Sequence, residues 1–339
     1  MVKIKERILG KSNIRVSPLG MGCWAIGGTI IDQEGKPTGY GIIDDKESIK
    51  AIQCAIDLGI NFFDTADMYG AGHSEEILGK AIQGYRDDIV IATKFGNTFD
   101  SENKRKIGTN ITPKYIKMAC EASLNRLGTD FIDLYQLHIW HVPKEELIPI
   151  IETLDDLQEN GQIKAYGWST DLSDLSKYFV ENSNCVSIQH ELNVLHDMKE
   201  IIDLCETNNL ASINRTVLAM GLLTGKYSLN SILPDNDVRG KNAPEWLKYF
   251  KKGKPDPEWL GKLDSIKDIL MSDGRSMVQG ALSWILARSD KTIPIPGFKT
   301  KTQVEENVKT LEFGSLNNDQ MKKIDEILGE RNFTYTTNE

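Results

Sequence analysis

Between Ile89 and His138 the chain reads IVIATK (Ile89–Lys94), TPKYIKMACEASLNRL (Thr112–Leu127) closed by Gly128, and FIDLYQLH (Phe131–His138). The two flanking runs are short, apolar and rich in β-formers, with little strict alternation, as expected of strands buried on both faces. The middle run has a helical beginning and end. Thr112 is an N-cap, Pro113 stands at the first helical position, and Gly128 follows the last apolar position. A strand, a helix and a further strand in this order make a parallel pair with a crossover.

The same unit repeats outward in both directions. Runs of strand character fall at Val16–Cys23, Asn61–Ala66, Ile163–Thr170, Cys185–Gln189, Ala211–Val217 and Thr292–Pro296, which with the first two makes eight. Helical patterns lie at Ser48–Leu58 (ending at Gly59), Lys144–Asn160 and Ser276–Ala287. Arg7–Val16, turning at Gly10–Asn13, reads as an N-terminal β-hairpin. Eight strand–helix units predict an α/β fold, a (β/α)8 TIM barrel with the N-terminal hairpin and extra helices. The surplus length lies in that hairpin, in Leu229–Met271 (a long loop and one extra helix) and after Leu311. No shift of composition marks a second domain, so residues 1–339 are read as a single barrel domain. An open doubly wound sheet is disfavoured because no G-x-G-x-x-G follows an early strand.

Composition narrows the function classes. The chain has 339 residues, a net charge of −9 and 26% charged residues. That balance argues against nucleic acid or an anionic membrane as partner. The N-terminal MVKIKERILG lacks a continuous apolar stretch, and no run approaches the length of a membrane span. Five cysteines (Cys23, Cys54, Cys120, Cys185, Cys205) are scattered and never spaced C-x-x-C. They read as reduced, mostly buried thiols of a cytoplasmic protein.

In such a barrel chemistry collects where the strands end. The second strand ends in Asp64, with Tyr69 in the loop after it; the third ends in Lys94 and the fourth in His138. Each alone has a plain explanation: a cap, a surface aromatic, a solvated charge, a structural histidine. Together they are a carboxylate, a phenol, an ammonium and an imidazole on one rim, which suits protonation of a carbonyl oxygen. A phenol titrates near ~10. An adjacent ammonium favours its ionised form and makes Tyr69 a better proton donor. Asp64 would hold Lys94 charged, and His138 would polarise and orient the carbonyl. His138 and His141 straddle a strand end and lack further ligands, so no metal is expected. The lysine-rich YFKKGKPDP (Tyr249–Pro257) reads as a solvated loop, and as a lid over bound cofactor by hypothesis.

These residues and their order resemble the aldo-keto reductase superfamily. The likeness spans RILGKSNIRVSPLGMG (Arg7–Gly22), FFDTADMYG (Phe62–Gly70), ATK (Ala92–Lys94), Leu137–His138, GWS (Gly167–Ser169), LLTGKY (Leu222–Tyr227) and IPGFKTxxQVEEN (Ile295–Asn307). It implies a (β/α)8 barrel using a nicotinamide cofactor, NADPH (NADP+), without a Rossmann domain, and a small-molecule carbonyl substrate. It assigns Tyr69 as proton donor supported by Asp64, Lys94 and His138. Cofactor contacts carry over to Cys23, Trp24, Asp64, Ser169, Gln189, Thr216, Leu218, Gly221, Lys226, Gly297, Phe298, Lys299, Gln303 and Asn307. Thr170 stands where many relatives have Asn, and Arg215 where many have a ring-stacking Tyr. The Arg215 guanidinium could stack similarly or meet an anion. Backbone N–H groups before the helix starting near Lys301, with the charge of Lys299, suit an adenosine 2′-phosphate. Substrate contacts fall to Trp24, Tyr69, His138 and Trp140. An NADPH-dependent reductase of aldehydes or ketones is the leading expectation. A polyol or sugar dehydrogenase and a non-catalytic cofactor-binding regulatory subunit are the alternatives.

Overall fold

The computed structural model describes residues 6–331, so the first five residues of the N-terminal stretch lie outside the described part. The elements follow one another as β1 (Met21–Gly22), α1 (Asp45–Asp57), β2 (Phe62–Asp64), α2 (His73–Ala81), β3 (Val90–Phe95), α3 (Pro113–Leu127), β4 (Ile132–Leu137) and α4 (Lys144–Glu159). Next come β5 (Ile163–Ser169), α5 (Ser173–Glu181), β6 (Ser187–Glu191), α6 (Lys199–Thr207) and β7 (Ala211–Arg215). The chain finishes through α7 (Pro257–Leu270), α8 (Met277–Arg288), β8 (Thr292–Pro294), α9 (Lys301–Val308), α10 (Thr310–Phe313) and α11 (Asn318–Leu328). Short extra strands, given below by residue range, sit at the two ends of the barrel.

The eight strands β1 to β8 pair in sequence order, each parallel to the next. A parallel bridge between Gly22 and Gly297 closes the ring. Gly20 N–H donates to Pro294 O (2.9 Å) and Gly22 N–H to Pro296 O (3.0 Å) across this seam. Here the absence of a side chain is required, because a Cβ on Gly22 would lie 2.8 Å from Ile295 O. The predicted barrel is thereby found, with α7 and α11 as additions in the surplus regions.

Local signals explain the helix boundaries. The Asp44 side chain accepts from Lys46 and Glu47 N–H at the start of α1. Thr112 caps α3, which ends at Gly128 with φ 65°, and Ser276 and Gln279 form a reciprocal capping box at α8. The first strand departs from expectation. Val16 pairs with Arg7 in the hairpin, Pro18 follows with no N–H to extend a ladder, and only Met21–Gly22 joins the barrel. Cys23 already opens a 3-10 turn, Cys23–Ile26.

Side chains alternate between two cores. Phe62, Val90, Ala92, Leu134, Ala165, Ala211, Ile213 and Ile293 fill the barrel interior together with Leu9 and Val16 of the hairpin. The hairpin therefore plugs the N-terminal end of the barrel. Phe63, Ile91, Tyr135 and Trp168 point outward into the layer shared with the helices. With period two, the interior positions that follow Phe62, Ala92 and Leu134 are Asp64, Lys94 and Gln136. The fold thus sets three polar groups one layer above an apolar plug.

Candidate active site

Asp64 is the hub of that layer. Its Oδ1 accepts from Lys94 Nζ at 2.5 Å, and its Oδ2 accepts from Gln189 Nε2 at 2.7 Å and Gln136 Nε2 at 3.1 Å. Asp64 is 2% exposed and Lys94 fully buried. An ammonium carries three donors. Those of Lys94 go to Asp64, to Thr65 O at 2.7 Å and to Tyr69 Oη at 3.4 Å. The register explains the meeting: Gln136 lies beside Lys94 across β3 and β4, and Ser169 beside Gln189 across β5 and β6.

Tyr69 reaches over this layer from the β2–α2 loop. Its ring stacks on Trp24 (centroids 6.1 Å apart) and meets His138 edge-on at 5.9 Å. The loop is held by a close backbone approach: a Cβ on Gly70, whose φ is +62°, would lie 1.8 Å from Gly27 O. Ala71 and Gly72 continue with positive φ into α2. Burial raises the Tyr69 phenol above its ordinary pKa, although Lys94 pulls it down. The sequence-based expectation of a phenol acidified by Lys94 is corrected on this point, because desolvation outweighs the ammonium. Burial also opposes the charge on Lys94, but Asp64 and Tyr69 together raise its pKa on balance.

His138 lies at the end of β4, with its N–H on Phe95 O at 2.8 Å and its carbonyl taking Asn97 Nδ2 at 3.0 Å. Burial, then the charges of Lys94, Arg215 and Lys106, push its pKa well below the ordinary histidine value. The ring is neutral at physiological pH, and its Nδ1 is buried with no hydrogen-bond partner among the described residues. For the expected reductase chemistry, kcat/KM should show no ionisation near pH 6.5 and should hold far into the alkaline range, because burial keeps Tyr69 protonated beyond the ordinary phenol range. An initial-rate series from acid to alkaline pH checks this; a half-loss of activity between pH 6 and 7 contradicts it.

A cleft of about 760 Å³ opens over the tetrad and runs to the far rim. Among its lining residues are Cys23, Trp24, Asp64, Tyr69, His138, Trp140, Ser169, Gln189, Arg215, Thr216, Leu218, Gly221, Lys226, Gly297, Phe298, Lys299 and Gln303. Most of the expected site residues are therefore brought together; Lys94 lies directly beneath them. The segment after β7 is unusual in its backbone, with positive φ at Thr216, Ala219, Met220 and Gly221. Such conformations cost roughly 1–3 kcal/mol each in non-glycine residues and gather at ligand sites.

Several expected contacts are corrected. Thr170 does not line the cleft: its hydroxyl donates to Trp140 O (2.6 Å) and accepts from Leu172 N–H (3.2 Å), which ties the Trp140 loop to the start of α5. Asn307 is buried in α9 and reaches Gly297 O at 3.4 Å. Lys299 is not a free point charge. Its Nζ donates to Tyr40 O (2.5 Å) and Ile42 O (3.1 Å), leaving one donor, and burial lowers its pKa. The anion-binding N–H groups are partly taken as well, with Lys299 N on Gln303 Oε1 (2.7 Å) and Lys301 N on Glu47 Oε1 (3.2 Å). The Cys23 thiol is pushed upward by burial and stays protonated.

Sequence reasoning missed Gln136 beneath the cleft and several residues along it. Tyr40, Lys106, Arg239 and Trp246 all line the cleft. Arg239 grips Asp237 through two bonds (2.8 and 2.6 Å) and donates to Met220 O and Tyr227 Oη, both 2.9 Å. Tyr40 and Asp237 form an antiparallel bridge, and Val238 N–H donates to Gly39 O at 2.7 Å. This strap joins the Leu229–Met271 segment to the loop before α1. The YFKKGKPDP stretch keeps Lys251, Lys252 and Lys254 in solvent as expected, and is anchored by its other residues: Tyr249 and Phe250 are buried, and Phe250–Lys251 pairs with Lys254–Pro255. A signal was present in the aromatic residues that interleave the lysines.

Comparisons with known proteins point to one family. The family model described as "Aldo/keto reductase family" matches residues 18–329. The aldo-keto reductase YhdN of Bacillus subtilis is 32% identical, covering 94% of this chain and 92% of its own. The NADH-specific methylglyoxal reductase of Escherichia coli is 30% identical, with 91% and 94% covered. The structure of the glycerol dehydrogenase AKR11B4 from Gluconobacter oxydans superimposes with a TM-score of 0.80 at 30% identity, covering 98% of each chain. Tetrad, barrel and comparisons converge, and the chain belongs to the aldo/keto reductase family of NAD(P)H-dependent oxidoreductases.

Proposed function

We propose that the chain, acting as one catalytic unit, reduces aldehydes or ketones to alcohols with NADPH, with Tyr69 as proton donor. The observation that carries this is the connected set Asp64–Lys94–Tyr69 with a neutral His138 across the same cleft. Tyr69 holds the proton to be given, since burial keeps the phenol protonated until the carbonyl oxygen develops charge. Lys94 then stabilises the phenolate left behind, and Asp64 keeps Lys94 aimed. A neutral imidazole has one N–H, with which His138 would orient the carbonyl oxygen. Trp24 and the half-exposed Trp140 supply apolar walls to the cleft.

The cleft residues fit a nicotinamide dinucleotide. Ser169 and Gln189 offer polar groups beside Asp64 for a carboxamide. The strained Thr216–Gly221 backbone and Lys226 suit the pyrophosphate, and Lys299 retains a donor for a 2′-phosphate at the far rim. This arrangement favours NADPH. When bound, the dinucleotide supplies the hydride that the carbonyl carbon accepts. Among the described residues no helix is long and apolar enough to cross a membrane. All five cysteines are buried free thiols, which supports a reducing, cytoplasmic setting.

The test is consumption of NADPH by the purified chain with a panel of aldehydes and ketones, set beside NADP+ reduction with polyols. Turnover of carbonyls is the expected result. Turnover confined to polyols would reverse the direction of the reaction. Tight dinucleotide binding without turnover of either class would replace the enzyme by a regulatory subunit.

A further inference from the structure

The hairpin inserted between β3 and α3, Asn97–Asp100 against Arg105–Thr109, carries an inverted pattern. Alternation along a strand turns every second residue to the same face. In Arg105–Thr109 the sheltered positions are Lys106 and Gly108, while Ile107 faces solvent at 60% exposure. A strand folded only for stability would place Ile inward and Lys outward. This one aims a lysine into the cleft, and the hairpin is fastened beside His138 by Asn97 Nδ2 on His138 O (3.0 Å) and Tyr115 Oη on Asn97 O (2.8 Å).

The Lys106 ammonium has no hydrogen-bond or ion-pair partner among the described residues; burial lowers its pKa, and only the charge of Asp32 offsets this. Arg215 lines the same cleft, and both cations lie close enough to His138 to act on its ring. Its Nη2 donates to Asp171 Oδ2, while Asp171 Oδ1 is taken by Glu191 N–H at 2.8 Å. Asp171 thereby fixes the guanidinium by one edge. A guanidinium carries five donors, and among the described residues one of them has a recorded partner. Burial first, and then the charges of Lys94, Arg215 and Lys106, keep His138 neutral. Asp64 balances Lys94 and Asp171 balances Arg215, which leaves Lys106 as a cation of this cleft with no carboxylate bonded to it.

We propose that the substrate is itself an anion: a carbonyl compound bearing a carboxylate or phosphate, held by Lys106 and Arg215 while its carbonyl oxygen lies at Tyr69 and His138. This rests on the reductase reading and specifies its substrate. The reaction stays balanced. The carbonyl carbon gains a hydride from the reduced dinucleotide, its oxygen gains the Tyr69 proton, and the C=O π bond is lost. The anionic group is unchanged and keeps its charge throughout.

The test compares matched pairs, 4-oxobutanoate with butanal and glyceraldehyde 3-phosphate with glyceraldehyde, in the holoenzyme. A charge-assisted hydrogen bond corresponds to roughly 10–100-fold, so kcat/KM is expected to favour the charged member of at least one pair by about tenfold or more. The pair that shows it identifies the oxyanion. Lys106→Met should reduce the ratio about tenfold and Lys106→Glu should bring it below one, mainly through KM; added salt should shrink it in the wild type. Arg215→Gln should also lower the ratio, and Lys106, on an exposed hairpin, supplies the variants whose folding is secure. A ratio at or below one for both pairs in the wild type overturns the proposal, as does a ratio unmoved by Lys106→Glu. Turnover of the neutral aldehydes would then leave the reductase reading standing. Calorimetric titration of both charged aldehydes into Tyr69→Phe holoenzyme reads the anion site apart from turnover. A tenfold weaker affinity of either in Tyr69→Phe/Lys106→Glu supports the site, and equal affinities for both ligands remove it.

Discussion

Tyr69→Phe is expected to lower kcat by about 10²–10⁴-fold, the range for losing a positioned general acid, while the dinucleotide Kd stays within about twofold. The substitution removes one oxygen and little else. The ring keeps its stacking on Trp24 and its edge contact with His138. The Gly27–Gly70 approach that sets the loop does not involve the hydroxyl. Lys94 retains its bonds to Asp64 and Thr65 O. Steady-state kinetics and a fluorescence titration of NADPH separate the two effects. A variant with near-native kcat would show that the proton comes from elsewhere.

Lys94→Met is expected to reduce both activity and stability. Removing one partner of a buried ion pair typically costs about 3–5 kcal/mol, because the remaining charge is stranded. Here Asp64 would keep only its two glutamine donors in a layer closed to water. Urea denaturation should show a lower midpoint, and turnover should fall by at least ~10² with loss of the ammonium that receives the phenolate. Adding Asp64→Asn to Lys94→Met removes the stranded charge and should recover a large part of the stability but none of the turnover. Recovery of turnover in the double variant would contradict the assigned role of Lys94.

The residues that the sequence disclosed share a physical reason. Strand–helix repetition defines strand ends, and Asp64, Lys94 and His138 sit at those ends, so their convergence follows from topology. Tyr69 was accessible because it lies only five residues beyond Asp64. What escaped reading depends on register and on loops. Gln136 joins Asp64 because it shares the inward face with Lys94, a matter of pairing between β3 and β4. Lys106 and Arg239 enter through insertions whose positions over the cleft are set by backbone bridges and side-chain bonds between distant segments. Thr170 and Lys299 have residue types suited to ligand contact, yet nearby carbonyls claim their donors. A sequence names the donor but not its competitor.

The ring closure between Gly22 and Gly297 has a consequence for the order of assembly. These glycines lie far apart in the chain, so closing this joint has a larger loop entropy to overcome than pairing any two consecutive strands. On one side of it stands a two-residue strand, and on the other Pro294 and Pro296 accept bonds but have no N–H to return. Gly297–Gln303, the far rim of the cleft, hangs directly from that joint. On the proposed reading, a dinucleotide held at that rim would favour the closed ring over an open one by the free energy of its own binding. Closure of the last strand and loading of the cofactor would then be coupled.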